Sequence, residues 1–494
     1  MKKAALNFVV LVCCCTAALA ADNLAGTWKS VEVTSDGTRV ATYFDITQQG
    51  DVISGMVHFA WGDLKLIEGK AEGNKFHFAA HQNNAHFSYD GELANGQLVM
   101  HDRSDATLTA QREPQGGFKV PTRIPPPALH TVPKNGLAAT PPMGWNSWNY
   151  FHGQVDDAVI RSTAELMARN GMRDAGYVYV NIDDTWAGQR DAQGTIHSSK
   201  NFPDMRALAD YVHSKGLKIG IYSSPGPETC GGYEGSYGHE AQDAKTYADW
   251  GIDYLKYDWC SAFRIYKDSE MRAIYQKMGD ALHATGRPIL FSLCQYGKAN
   301  VWEWGSLVGG NLWRTTDDIR DNWEAMSANG FSQDELADFA GPGHWNDPDL
   351  LEVGNGGMTA EEYRSHMSLW SILAAPLMAG NDLSTMTPEI RSILTNPEVI
   401  AVDQDPAGKQ GKRIKQATQV EVWKKSLSGG AIALAIFNRG EAATKASFAW
   451  SDLGVSPPGS LRDLWERREV PAGDQLEIEI EAHGVRMIRL PNPQ

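Results

Sequence analysis

Residues 136–405 repeat one pattern: a short apolar β-run, a polar end and an amphipathic helical stretch. The apolar runs cover residues 142–148, 177–184, 218–224, 254–260, 289–294, 312–319, 344–347 and 376–382. Short buried strands that alternate with helices indicate a parallel sheet. Eight such units over roughly 250 residues predict a (β/α)₈ TIM barrel, whose active site lies at the carboxyl ends of the strands.

The segments on either side of this barrel have strand patterns only. Residues 22–120 contain short alternating runs separated by turn signals, which predicts an accessory all-β domain, either a small barrel or a sandwich. Residues 121–135 are rich in proline and predict a stiff linker. Alternation returns at residues 406–494 and predicts an antiparallel β-sandwich. The expected fold is therefore multidomain, with a central barrel and two flanking β domains.

The first twenty residues have the features of a cleavable signal peptide. Lys2 and Lys3 precede an apolar run, and the small residues at 18–20 form a cleavage pattern. A membrane anchor is disfavoured because the run is too short for a full span, and a lipoprotein signal at Cys13 is the weaker alternative. We therefore expect a periplasmic or secreted protein that does not contact the membrane after signal removal.

Charge and cysteine content narrow the function further. A formal net charge of −15 argues against a nucleic-acid partner, because phosphates would be repelled. Signal removal leaves Cys230, Cys260 and Cys294, an odd number that indicates one disulfide and one thiol in an oxidising compartment. Spacing alone does not identify the pair. No Cys or His spacing typical of structural zinc is present, so no metal is expected.

Two aspartates at predicted strand ends suggest glycoside hydrolysis. Asp258 ends the run YLKYD, and strand alternation directs Lys256 to the same side, where its charge favours the ionised carboxylate that a nucleophile requires. Asp318 lies in WRTTDDI, two strands further on. Glycosidases use two carboxylates, about 5–5.5 Å apart for retention and about 6.5–9.5 Å apart for inversion. The sequence does not determine which separation applies.

Two further acidic pairs follow strand runs. Asp183 and Asp184 precede Trp186, and carboxylates beside an aromatic ring can accept hydrogen bonds from sugar hydroxyls. A calcium site is the alternative, although the oxygen-ligand spacing of a calcium loop is missing. Asp347 and Asp349 have the same two interpretations.

Six stretches of this region resemble glycoside hydrolase family 27, which contains α-galactosidases and α-N-acetylgalactosaminidases. They are PPMGWNSW at 141–148, NIDDTW at 181–186, KIGIY at 218–222, YLKYDWC at 254–260, WRTTDDI at 313–319 and GPGHWNDPDL at 341–350. The resemblance implies a (β/α)₈ barrel followed by a C-terminal β domain. It also implies a retaining double displacement that uses no metal or organic cofactor.

The resemblance assigns roles to individual positions. It implies that Asp258 is the nucleophile and Asp318 the acid/base, and that Cys230 and Cys260 form a disulfide beside the pocket. The implied substrate contacts are Trp148, Asp183, Asp184, Tyr222, Lys256, Cys294, Tyr296, Arg314 and Asp349. This chain departs from the family where Gln295 and Tyr296 replace a frequent Glu-Trp pair. The predicted N-terminal domain has no counterpart in the minimal family architecture.

The expected activity is removal of terminal α-galactose from oligosaccharides or polysaccharides. A related β-L-arabinopyranosidase, α-N-acetylgalactosaminidase or dextran-active enzyme is the alternative within the family. Cys294 and Tyr296 leave little room for an acetamide at C2, and Asp183, shorter than a glutamate, leaves room for the hydroxymethyl group of galactose. Outside this enzyme class, a noncatalytic carbohydrate-binding protein is the other hypothesis. The oligomeric state does not follow from the sequence.

Overall fold

The computed structural model of the protein describes residues 23–82, 85–102, 106–113 and 118–492. The predicted signal peptide, residues 1–20, lies outside these ranges. The described residues up to Glu32 and from Ala41 to Lys119 form one compact unit, and Val33–Val40 and the chain from Val120 onward form a second. In the part of the chain that is described, no helix combines the length and the apolar character needed to cross a bilayer.

The N-terminal unit is a closed antiparallel barrel of eight strands. Its strands are β1 (Gly26–Val33), β2 (Arg39–Gln49), β3 (Val52–Phe59), β4 (Gly62–Glu72), β5 (Lys75–Gln82), β6 (Ala85–Ala94), β7 (Gln97–His101) and β8 (Thr107–Arg112). Pairing of Trp28 in β1 with Arg112 in β8 closes the barrel. Alternate residues point inward, and buried side chains such as Phe44, Phe78 and Met100 fill the interior. Of the two predicted all-β forms, the barrel is the correct one.

The second unit contains the predicted (β/α)₈ barrel. Its strands are β9 (Met143–Asn146), β10 (Tyr179–Asn181), β11 (Ala187–Arg190), β12 (Ile196–Ser198), β13 (Lys218–Ser223), β14 (Tyr254–Asp258), β15 (Leu290–Cys294), β16 (Leu312–Arg314), β17 (Trp345–Asp347) and β18 (Leu377–Ala379). All but β11 and β12, which pair with each other, form one parallel sheet in the order β17-β16-β15-β14-β13-β10-β9-β18. A parallel bridge between Leu351 and Ala379 joins the two ends of this sheet.

The helices surround this sheet. They are α1 (Trp148–Phe151), α2 (Asp157–Arg169), α3 (Met172–Ala175), α4 (Met205–Ser214), α5 (Glu240–Trp250), α6 (Met271–Ala284), α7 (Val301–Trp304), α8 (Trp323–Phe331), α9 (Ala360–Leu373), α10 (Pro388–Leu394) and α11 (Pro397–Asp403). Polar caps begin several of them: Asp156 accepts a hydrogen bond from Val159 N in α2, and Thr359 forms a capping box with Glu362 in α9.

Several strands are shorter than the apolar runs that predicted them. The run at 177–184, for example, contains the three-residue strand Tyr179–Asn181. Asp183 and Asp184 leave the ladder because their side chains bond to other elements, and the following Thr185 has a left-handed φ of 81°. The chain therefore stops pairing where it begins to build the pocket.

The C-terminal segment has eight antiparallel strands. They are β19 (Lys412–Ala417), β20 (Val420–Ser426), β21 (Ile432–Asn438), β22 (Thr444–Ala449), β23 (Ser460–Asp463), β24 (Arg468–Pro471), β25 (Gln475–Ile480) and β26 (Val485–Leu490). Six form the sheet β19-β20-β21-β26-β23-β24, and β22 pairs with β25. Buried residues such as Leu434, Trp450 and Ile480 form one apolar core of this segment. The predicted multidomain fold class is confirmed.

Candidate active site

The predicted site residues lie at the carboxyl ends of neighbouring barrel strands. Strand register aligns Asp258, the last residue of β14, with Cys294, the last residue of β15. Tyr222 near the end of β13 is aligned with Lys256 in β14. Since parallel strands end at the same edge, their terminal side chains converge on one pocket.

The Asp258 carboxylate is buried and only partly hydrogen-bonded. The Tyr222 hydroxyl donates to Asp258 Oδ2 at 3.0 Å, whereas Asp258 Oδ1 has no hydrogen-bond partner among the described residues. Burial raises the pKa of Asp258 above its ordinary value, and the positive charge of Lys256 opposes that rise. One oxygen of this carboxylate therefore has its lone pairs available to a substrate.

Lys256 connects β14 to the acidic residue after β10. Its Nζ lies 2.9 Å from Asp183 Oδ2, and the Asn146 side chain donates to the same oxygen at 2.7 Å. Burial would lower the pKa of Lys256, but the negative charges of Asp183 and Asp258 raise it well above its ordinary value. The ammonium group is therefore a permanent positive charge inside the pocket.

Asp184 is held by the backbone. Its two carboxylate oxygens accept hydrogen bonds from the N–H groups of Thr185 and Gly231, both at 2.7 Å. Burial raises the pKa of Asp184 to about 6, and these hydrogen bonds oppose the rise. The carboxylate keeps further lone pairs that a sugar hydroxyl can use.

Arg314 joins two aspartates of different exposure. Its Nη2 lies 3.0 Å from Asp318 Oδ1, and its Nη1 lies 3.2 Å from Asp349 Oδ1. The Asp318 side chain is 69% exposed, whereas the Asp349 side chain is 7% exposed. Burial raises the pKa of Asp349, and the charge of Arg314 opposes the rise. Asp318 thus lies at the rim of the pocket, where water has access.

Two of the three described cysteines form a disulfide. Cys230 is bonded to Cys260, and the Tyr222 hydroxyl lies 3.3 Å from Cys260 Sγ. Cys294 is a free buried thiol that lies 3.7 Å from Arg314 Nη1. Burial and the charge of Asp258 raise the pKa of Cys294 well above its ordinary value, so the thiol is inert.

Within the described ranges, Cys230, Asp258 and Cys260 form the one group with metal-ligand spacing. The two sulfur atoms are bonded to each other, so neither is a thiolate that could coordinate an ion. The spacing of this group therefore does not indicate a metal site.

Of the aromatic residues of the predicted site, Trp148 and Tyr296 are half-buried and Tyr222 is buried. Trp148 begins α1, and its backbone N–H donates to Asn146 Oδ1 at 2.8 Å, which links it to the Asp183 cluster. The Arg314 guanidinium lies 5.6 Å from the centre of the Tyr296 ring. The predicted site residues thus lie at the same edge of the sheet, where they contact one another directly or, like Trp148, through one intervening residue.

Two contributors to the site were not among the predicted residues. The Asn146 side chain donates to Asp183, and the Gly231 N–H donates to Asp184. Asn146 stands in the GWNSW stretch at a strand end and was identifiable there. A backbone donor such as Gly231 leaves no side-chain signal in a sequence.

Comparison with known proteins identifies the family. The sequence model described as "Alpha galactosidase A" matches residues 140–405, and the one described as "Alpha galactosidase C-terminal beta sandwich domain" matches residues 417–490. The chain belongs to the α-galactosidases of glycoside hydrolase family 27. An α-galactosidase of Cyamopsis tetragonoloba is 46% identical over 361 residues, which cover 72% of this chain and 87% of that relative.

Solved structures of family 27 enzymes have the same fold. α-Galactosidase I of Mortierella vinacea is 36% identical with a TM-score of 0.69, and the match covers 72% of this chain and 98% of that chain. An α-galactosidase of Saccharomyces cerevisiae, solved with raffinose, is 26% identical with a TM-score of 0.68 and covers 73% of this chain and 99% of that chain. The family identified from the sequence motifs is confirmed.

Proposed function

We propose that this α-galactosidase removes terminal, non-reducing α-D-galactosyl residues with retention, using Asp258 as nucleophile and Asp318 as acid/base. The observation that carries the proposal is the difference between the two carboxylates. Asp258 is buried with Oδ1 unbonded by the described residues, and Asp318 is 69% exposed on the same strand edge. A nucleophile must face the anomeric carbon, whereas an acid/base must reach the leaving oxygen and then water.

In the first step, Asp258 Oδ1 forms a bond to the anomeric carbon while the glycosidic C–O bond breaks. Asp318 in its protonated form donates its proton to the leaving oxygen. The charge of Lys256 favours the ionised form of Asp258 before attack. The product of this step is a covalent galactosyl-enzyme ester and a free aglycone.

In the second step, Asp318 accepts a proton from water, and the water oxygen attacks the anomeric carbon. The bond to Asp258 Oδ1 breaks, and galactose leaves in its original anomeric configuration. Arg314, whose Nη2 lies 3.0 Å from Asp318 Oδ1, holds this carboxyl group in place. No step requires a metal or an organic cofactor.

The remaining predicted residues bind the sugar in this proposal. Trp148 packs on the apolar face of galactose, and Asp183 and Asp184 accept hydrogen bonds from its hydroxyl groups. Lys256, fixed by Asp183, donates to the sugar. Tyr222, Cys294, Tyr296, Arg314 and Asp349 line the rest of the pocket.

The substrate class is tested with four nitrophenyl glycosides: α-galactoside, N-acetyl-α-galactosaminide, β-L-arabinopyranoside and α-glucoside. We expect the α-galactoside to have the highest kcat/KM and the galactose first formed to be the α-anomer by proton NMR. Preference for another sugar would be compatible with the mechanism, but it would contradict the interpretation that Asp183 and Cys294 make the pocket specific for galactose. Binding without turnover of any of the four would favour the noncatalytic alternative.

The two roles are separated by azide. Asp258→Ala should be inactive, and azide should restore turnover with β-galactosyl azide as product, because azide attacks from the vacated side. Asp318→Ala should yield α-galactosyl azide, because the covalent intermediate still forms. Asp317→Ala is the matched control, since Asp317 is the exposed neighbour of Asp318, and it should keep wild-type activity. Near-normal turnover by Asp258→Ala would contradict the proposal.

We also propose that the protein is exported to the periplasm or the medium, and that oligosaccharides or polysaccharides ending in α-galactose are its substrates. The proposal of export rests on the signal features of residues 1–20. N-terminal sequencing of the mature protein should begin at Ala21. A mature protein that starts at Met1 would contradict it.

A further inference from the structure

We propose that Tyr296 is a catalytic residue, whose hydroxyl donates a hydrogen bond to the Asp258 carboxylate and stabilises it as the leaving group of the second step. This inference rests on the proposed function, because it requires Asp258 to be the nucleophile. It assigns to Tyr296 a chemical role beyond that of a pocket wall.

The Tyr296 hydroxyl contacts the disulfide that lies beside Asp258. One carboxylate oxygen of Asp258 and the sulfur atoms of Cys230 and Cys260 all lie within 4.8 Å of one another. The Tyr222 hydroxyl is 3.3 Å from Cys260 Sγ, and the Tyr296 hydroxyl is 3.9 Å from Cys230 Sγ. The two hydroxyls therefore contact the two sulfur atoms of a disulfide that lies next to the carboxylate.

The turn after β15 fixes this position. The Gly297 N–H donates to the Arg314 carbonyl oxygen at 3.0 Å, and the buried Gln295 side chain donates to the same oxygen at 3.4 Å. Two cations lie near the Tyr296 ring, with Arg314 Cζ at 5.6 Å and Lys298 Nζ at 5.7 Å from its centre. Tyr296 has a left-handed φ of 59°, a conformation that persists only where neighbours hold it.

The protonation of the two groups is compatible with this role. Burial and the charge of Asp258 raise the pKa of Tyr296 well above its ordinary value, so the hydroxyl stays a donor throughout the working pH range. Although burial raises the pKa of Asp258, the neighbouring hydroxyls of Tyr296 and Tyr222 oppose that rise, because each can donate to the ionised carboxylate. The frequent family tryptophan at this position has no hydroxyl to do so.

The hydroxyl acts differently in the two steps. In the first step the carboxylate charge disappears as Oδ1 bonds to the anomeric carbon, so a hydrogen bond to that charge gives no acceleration. In the second step, water bonds to the carbon, the C–Oδ1 bond breaks, and the negative charge returns to Asp258. The Tyr296 hydroxyl then stabilises the departing carboxylate and keeps its own proton in both steps.

The test is the kinetics of Tyr296→Phe on a nitrophenyl α-galactoside with a good leaving group. We expect kcat to fall roughly tenfold, because a hydrogen bond to a charged oxygen is worth about that much or more. KM should fall with it, and a burst of nitrophenol should appear, because the galactosyl-enzyme accumulates. The acid limb of kcat/KM should move to higher pH, since Asp258 loses a donor to its ionised form.

Three comparisons separate this role from a structural one. Tyr296→Trp should show the same burst and the same displaced acid limb, because it restores a flat wall without a hydroxyl at that position. Tyr177→Phe removes another buried hydroxyl, which donates to the Leu394 carbonyl at 2.8 Å, and should lower Tm without a burst. The inference would be overturned if Tyr296→Phe kept the wild-type kcat and the wild-type acid limb of kcat/KM. It would also be overturned if Tyr296→Trp kept the wild-type acid limb of kcat/KM.

The failure of this inference is distinguishable from failure of the proposed function. If Asp258→Ala is inactive while Tyr296→Phe behaves as wild type, Asp258 remains the nucleophile and only the role of Tyr296 is wrong. If Asp258→Ala keeps its activity, the nucleophile itself is wrong, and the role of Tyr296 fails with it.

Discussion

Lys256 is the residue on which the charges of the pocket depend most directly. Its Nζ is 2.9 Å from Asp183 Oδ2, and its charge opposes the rise in the pKa of Asp258 that burial causes. The Lys256 side chain is 17% exposed and that of Asp183 is 2% exposed, so water screens this ion pair weakly. One lysine thus compensates a binding carboxylate and the proposed nucleophile.

We predict that Lys256→Met lowers both stability and activity. Removing one partner of a buried ion pair leaves Asp183 uncompensated, at a cost of about 3–5 kcal/mol in the free energy of unfolding. The acid limb of kcat/KM should move to higher pH, because the carboxyl of Asp258 loses the positive charge that favours ionisation. Urea unfolding and a pH series on the nitrophenyl α-galactoside measure the two effects. Lys245→Met, which breaks the exposed pair with Asp249, should change neither.

Helix α9 contains a histidine that is fully buried without polar partners. Neither ring nitrogen of His366 has a hydrogen-bond partner among the described residues, and its ring packs 4.1 Å from that of Trp370. Burial lowers the pKa of His366 from 6.5 to about 3. The unfolded chain therefore binds a proton between these pH values that the folded chain does not, and stability falls as the pH falls below 6.5.

We predict that His366→Leu makes the enzyme more resistant to acid. The histidine accounts for a loss of about 3 kcal/mol between neutral pH and pH 4, and leucine removes this loss. Thermal unfolding followed by circular dichroism at pH 7 and pH 4 should show a smaller difference in Tm for the variant. His283→Leu, which changes an exposed histidine of α6, serves as control. An unchanged difference in Tm for His366→Leu would contradict the prediction.

The disulfide connects the loop after β13 to the end of β14. It joins residues 30 positions apart, and its sulfur atoms contact the hydroxyls of Tyr222 and Tyr296. The disulfide therefore contributes to the stability of the barrel and also helps to position the side chains around Asp258.

We predict that replacing Cys230 and Cys260 together by serine lowers the free energy of unfolding by about 3–4 kcal/mol, the loop entropy expected for a closure of this length. Activity should fall as well, because Tyr222 and Tyr296 lose the contact that fixes their hydroxyls. Cys294→Ser changes only the free thiol and keeps the disulfide, so it should not reproduce the loss in the free energy of unfolding that results from opening the loop. Equal urea midpoints for the double variant and the wild type would contradict this expectation.

At the scale of the whole second unit, Glu421 connects the C-terminal sheet to the barrel. Its carboxylate is buried and accepts a hydrogen bond from Arg439 at 2.6 Å and from Arg413 at 3.3 Å. Arg439 also donates to Ser327 Oγ and lies 4.5 Å from the Phe331 ring, both in α8. The contact suggests that the sheet and barrel unfold together.

We predict that Glu421→Gln destabilises the barrel although the residue lies in the C-terminal sheet. Loss of the buried charge leaves two arginines without their partner and should cost about 3 kcal/mol. Heat inactivation of the α-galactosidase activity should shift together with the loss of secondary structure. Glu479→Gln, in the exposed pair with Lys445, should be neutral. A shift in secondary structure with no shift in inactivation would show that the two parts unfold separately.

The fold was largely predictable because its signals are local. Apolar runs alternating with amphipathic helices follow from the two side-chain periodicities, and they predicted all eight strands of the parallel sheet. Strand ends were less predictable. At Asp183 and Asp184 the chain leaves the ladder to bond Lys256 and Gly231, which are distant in sequence.

The fold class, the family and the residue types of the site follow from local patterns, because motifs such as YLKYD and WRTTDDI each lie within a few positions of the chain. The environment of each group follows from tertiary packing. That Asp258 is buried while Asp318 is 69% exposed, and that Tyr296 reaches the disulfide beside Asp258, depends on which strands are neighbours. Burial and distance are properties of packing between remote segments, and such packing leaves no pattern in a single sequence.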